Sequence, residues 1–94
     1  MTKEQRAKSA ISAALDALNS QIQNAPPSGP GSNDQLNFMQ GELRRYLRVI
    51  EDRFKWTGPT PDPVLTRIIV DSWPLASPLG EMVSDAERAY INLF

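Results

Sequence analysis

The chain has 94 residues, 40% of them hydrophobic and 22% charged, which suits one small globular domain and is too short for two. It contains no histidine and no cysteine, so the commonest general base, the usual zinc ligands, a thiol nucleophile and a disulfide scaffold are excluded together. A formal net charge of −1 and a pI near 5.3 argue against a nucleic-acid partner, because phosphate binding requires clustered, unpaired Lys and Arg.

The opening residues Met1-Thr2-Lys3-Glu4-Gln5-Arg6 lead into an alternating surface rather than an apolar run. Neither a secretion signal nor a bilayer-spanning segment is expected, and a cytoplasmic location is the default. Ala7, Ala10, Ile11, Ala14, Leu15, Leu18 and Ile22 recur at helical spacing, with Lys3, Arg6, Ser9, Asp16 and Asn19 between them. The pattern predicts an amphipathic helix from about Thr2 to Asn24, whose alanines let a neighbour approach closely. Residues 25–32 then bring three prolines and two glycines, which stop a helix and read as a solvated connection.

Ser32 caps the next predicted helix, with Gln35 at capping-box spacing and Asn33 as a competing cap. Leu36, Met39, Leu43, Tyr46, Leu47, Ile50 and Phe54 form one apolar stripe reaching about Lys55. Phe38, Glu42, Arg45 and Val49 line a second strip beside it. Two partly apolar strips predict a central helix, with the first helix on one side and the C-terminal elements on the other.

Residues 57–61 make the second break, after which Asp62-Pro63 reads as N-cap and first helical residue. Val64, Leu65, Ile68 and Ile69 follow at helical spacing, although the β-branched run Ile68-Ile69-Val70 leaves a short strand open. The cap and the lack of a partner strand favour a helix, ended near Trp73 by Pro74. Ser77-Pro78 repeats the cap-then-proline start, and Leu79, Met82, Val83, Ala86, Ala89, Tyr90 and Leu93 predict the last helix. The expected fold is all-α: one domain over residues 1–94, a small bundle of about four helices. Two long antiparallel helices are followed by two shorter ones.

The one basic cluster is Arg44-Arg45-Tyr46-Leu47-Arg48 with Arg53 and Lys55. Arg48 stands four residues before Asp52, and Glu51 four before Lys55, so local pairing can absorb half of that charge and a solvated face is the better reading. After Trp56 the chain turns acidic: Asp62, Asp71, Glu81, Asp85 and Glu87 face only Arg67 and Arg88. A carboxylate hydrolase or a magnesium site needs acids converging in a pocket, and no second dyad at metal-site spacing accompanies Glu81 and Asp85. No catalytic residue, metal or cofactor is therefore expected. A solvated face comes first for these acids, and a docking surface for a basic partner second. Trp56 and Trp73 flank the third element, where an aromatic residue serves as a core lid more often than as an anchor. Tryptophan is nevertheless enriched at interface hot spots, and Trp73 is the preferred partner contact of the two.

The runs Leu65-Thr66-Arg67-Ile68-Ile69-Val70, Pro78-Leu79 and Asp85-Ala86-Glu87-Arg88-Ala89-Tyr90 follow Gln35-Leu36-Asn37-Phe38 and an N-terminal amphipathic helix. This layout resembles the small all-helical immunity proteins that neutralise NAD(P)-hydrolysing effectors of bacterial type VI secretion systems. The resemblance spans most of the chain in layout and is specific only in scattered residues. The Pro26 to Gly31 loop and the Gly58 to Pro63 break depart from it. It implies a cognate toxin bound in the cytoplasm of the producing cell, its substrate cleft occluded or its inactive shape held. A cleft that receives a phosphate-bearing cofactor is basic, which makes Asp71, Glu81, Asp85 and Glu87 the carboxylates expected to meet it, with Trp73 as apolar anchor. The rival expectation is a helical adaptor or self-associating module, a homodimer joined along the Phe38–Val49 strip.

Overall fold

In this computed structural model residues 2–23, 32–52, 61–73 and 77–94 are described. Thr2 starts the first helix, α1 (Lys3–Ile22), through a reciprocal pair of hydrogen bonds. Its hydroxyl accepts from the Gln5 backbone N–H at 3.1 Å, and the Gln5 side-chain oxygen accepts from the Thr2 N–H at 3.1 Å. Two of the N–H groups that a helix start leaves without partners are satisfied in this way. Ala7, Ile11, Ala14 and Leu18 fall on one face and are fully buried, while Lys3, Arg6, Ser9, Asp16 and Asn19 are exposed.

Ser32 caps α2 (Asn33–Glu51) by accepting from the Gln35 N–H at 3.3 Å. Leu36, Met39, Leu43, Tyr46 and Ile50 enter the core from this helix. Phe54 and Lys55, and the connection expected before Ser32, lie outside the described residues. Ile68-Ile69-Val70 is helical, within α3 (Val64–Ser72), and there is no strand among the described residues. Ser77 caps α4 (Pro78–Ile91) by accepting from the Gly80 N–H at 3.1 Å, with Pro78 in the first turn. The described residues thus form a small all-α bundle of two long and two shorter helices.

The packing order differs from the expected one. The helix with long backbone contacts on two sides is α1, which lies along both α2 and α4, while α3 packs on α4. Ala7 and Ala14 keep the buried face of α1 shallow, so two helices can approach it at once. The second strip of α2 is not covered: Phe38 is 47% exposed and Arg45 is exposed, with Glu42 and Val49 half-buried. α2 meets the C-terminal half through long side chains at Gln35 and Tyr46.

Candidate functional site

The acid predicted to face a partner at position 87 points into the bundle. The core line of α4 runs through Gly80, Val83, Ala86, Glu87 and Tyr90, and Glu87 is 0% exposed. Its Oε2 accepts from the Tyr46 hydroxyl at 2.7 Å and from the Leu65 N–H at 2.9 Å, and its Oε1 accepts from the Thr66 N–H at 2.8 Å. A buried carboxylate persists only when donors replace its water, and here three do so. Two of them are the orphan N–H groups at the start of α3, where the helix dipole is positive. α3 has no side-chain cap of its own, and the expected cap, Asp62, is exposed. Glu87 therefore caps α3 from another helix, and it is corrected from a docking residue to a structural one.

Tyr46 is fixed from several directions. Its ring stacks on Tyr90 with centroids 4.1 Å apart and planes 9° from parallel. Tyr90 in turn meets the edge of Phe94 at 5.1 Å. The Arg45 guanidinium stands 5.7 Å from the Tyr46 ring centre and pairs with Glu42. Burial, then the hydrogen bond to Glu87, pushes the Tyr46 phenol far above its ordinary value. Burial also raises the Tyr90 phenol.

Trp73 requires a second correction. It is 8% exposed, and its indole N–H donates to the Gln35 side-chain oxygen at 2.7 Å. The ring also lies close to Gly80, where a Cβ would come within 3.4 Å of Trp73 Cε3 and 3.0 Å of Ile69 Cγ2. Trp73 thus closes the core where the end of α3 meets the starts of α2 and α4. It presents little surface to a partner.

The other three predicted acids are exposed. Glu81 and Asp85 line an open groove between α3 and α4 with a volume of about 460 Å³. Buried Ile69 and Gly80 form its floor, and exposed Val70 and Arg88 stand at its edge with the two acids. Val70 is 65% exposed, the most open of the large apolar side chains among the described residues. Asp71 is exposed on α3 and does not line the groove. Among the described residues the one ion pair is Arg45–Glu42, and Glu81, Asp85 and Arg88 make none. The pairing expected between Arg48 and Asp52 is not made, and Lys55, the expected partner of Glu51, lies outside the described residues.

Among the described residues no group of three or more acids could hold a metal ion, and no helix is long and apolar enough to cross a membrane. Sequence reasoning missed the inward turn of Glu87 and the Thr2–Gln5 box, and both had signals. Glu87 lies seven residues after Gly80 and four after Val83, on the core line. Thr2 and Gln5 stand at the spacing that was recognised at Ser32. No protein-family model matches the chain, and no curated protein matches it.

Proposed function

We propose that this chain is a protein-binding domain that neutralises its partner by occupying it, and that the α3–α4 groove faces that partner. The observation that carries the reading is the surface itself: Glu81 and Asp85 are exposed, with no ion pair to a described residue, beside the open apolar side chain of Val70. A solvated helix face needs no apolar neighbour, whereas an interface combines an apolar centre with a charged rim. The helical layout resembles immunity proteins, and that resemblance gives the partner as a secreted toxin bound in the cytoplasm of the producing cell. An NAD(P)-hydrolysing toxin fits the acidic groove, since its cofactor cleft must be electropositive.

Co-expression with the reading frame adjacent in the genome tests this. Rescue of growth together with a stable complex on gel filtration supports it. A neighbour that is harmless alone, or lethal with this chain present, refutes it.

A second reading, a self-associating helical module, is favoured by one observation: Phe38 on α2 is 47% exposed. Mass measured against concentration, with Phe38→Asp as the control, separates it from the first. A dimer that Phe38→Asp dissolves supports self-association, and a monomer at every concentration removes it.

A further inference from the structure

The charges along the α3–α4 groove have an order. On α4 they run Glu81, Asp85, Arg88, spaced by four and then three residues on one helix edge. The helical rise puts about 6 Å between the two acids and about 4.5 Å between Asp85 and Arg88. None of the three makes an ion pair with another described residue. Ile69 and Gly80 below them, and Val70 opposite, supply apolar surface to the same groove.

We propose that the occupant of this groove is an amphipathic helix of the partner protein, with two basic side chains one turn apart and an acidic one a turn further along. This rests on the protein-binding reading above and names the element that binds. Each basic head meets Glu81 or Asp85 while its aliphatic stem lies on Val70 and Ile69, which is how long basic side chains cover apolar surface. The acidic residue meets Arg88. Positions i, i+4 and i+7 share one face of a helix, so a single helical segment satisfies all three sites. Arg88 supplies specificity: a uniformly basic helix is repelled at that end of the groove.

The test uses the isotopically labelled full chain and three synthetic helical peptides with the same alanine and leucine background. Their charge orders are Lys-Lys-Glu, Lys-Glu-Lys and Glu-Glu-Glu along one face. The first peptide is expected to shift the amides of Val70, Glu81, Asp85 and Arg88. The second, which no reversal of helix direction converts into the first, should bind about tenfold more weakly, and the third should not bind. The double variant Glu81→Gln with Asp85→Asn should abolish the preference and keep the wild-type melting temperature. Equal binding of the first two peptides, shifts centred on Phe38 or on Lys3 and Arg6, or no binding at millimolar peptide overturns the proposal. The same double variant in the growth assay separates the two ideas. Rescue that survives it, with no peptide preference, removes the groove helix and leaves the neutralising function standing. Failure of the wild type to rescue, with the peptide order upheld, does the reverse.

Discussion

Tyr46 and Glu87 are 41 residues apart in the chain and joined by a 2.7 Å hydrogen bond inside the bundle. The same carboxylate holds the first free N–H groups of α3, so α2, α3 and α4 meet at one side chain. The carboxylate, held by the phenol, here performs a task that sequence patterns normally assign to a local cap.

Glu87→Ala leaves a hydroxyl and two backbone N–H groups buried without their partner. The expected loss is about 3–5 kcal/mol, or a fall of at least 10 °C in melting temperature at roughly 4–8 °C per kcal/mol. Amide exchange should rise first at Leu65 and Thr66. Glu87→Gln keeps the shape and one acceptor, and should fall between the variant and the wild type. Wild-type melting of Glu87→Ala would remove Glu87 from its structural role.

The two tyrosines make stability depend on alkaline pH. In the unfolded chain a phenol ionises near its ordinary value of about 10, whereas in the fold Tyr46 and Tyr90 are held protonated above that value. Above pH 10 the unfolded state therefore binds fewer protons than the native state. The linkage slope is negative, so the contribution is complete below about pH 10 and is lost as pH rises beyond it. Denaturant melts at neutral and alkaline pH should show this decline, and Tyr46→Phe should flatten it. Both phenols ionising at their ordinary value in the folded protein, read by near-ultraviolet phenolate absorbance, would refute the prediction.

The glycines separate two effects of one substitution. Gly41→Ala meets no atom within 4 Å and should stabilise α2 by about 0.5–1 kcal/mol, the gain of alanine over glycine in a helix. Gly80→Ala, in the first turn of α4, has a smaller propensity gain, and its Cβ stands 3.0 Å from Ile69 Cγ2, a methyl carried directly on a branched Cβ. Overpacking should outweigh propensity there, for a net loss of about 1 kcal/mol. Urea melts of the two variants should move in opposite directions, and a gain at both positions would contradict the close fit of α3 on α4.

Trp73→Phe removes the indole N–H from Gln35 and should cost about 1–2 kcal/mol, while Trp73→Ala should cost about 3–5 kcal/mol. Partner affinity should be unchanged in Trp73→Phe once the protein is confirmed folded. A selective loss of binding would restore Trp73 as an anchor.

Periodicity identified the helices and their solvent faces because those are local properties. Ser32 and Ser77 were legible for the same reason: a hydroxyl and the N–H it satisfies lie three residues apart. The start of α3 was not, because its acceptor lies 21 and 22 residues away. A glutamate on an apolar line is also read as exposed by default, since carboxylates are rarely buried without partners that only the fold supplies. Which helix lies between two others depends on how closely α1 can be approached, and the two-strip pattern of α2 carries no information about that. Of the candidate site, the exposure of Asp71, Glu81 and Asp85 was foreseen, but the groove that collects two of them needed the packing of α3 on α4.

The remote cap of α3 ties the groove to a contact made across the bundle. A helix of nine residues is marginal alone in water, and this one makes no side-chain cap within its own segment. The start of α3 is completed by Glu87 of α4, which stands against Leu65 and Thr66. The α3 wall of the groove therefore depends on the Glu87 carboxylate of α4 and, through it, on the Tyr46 hydroxyl of α2.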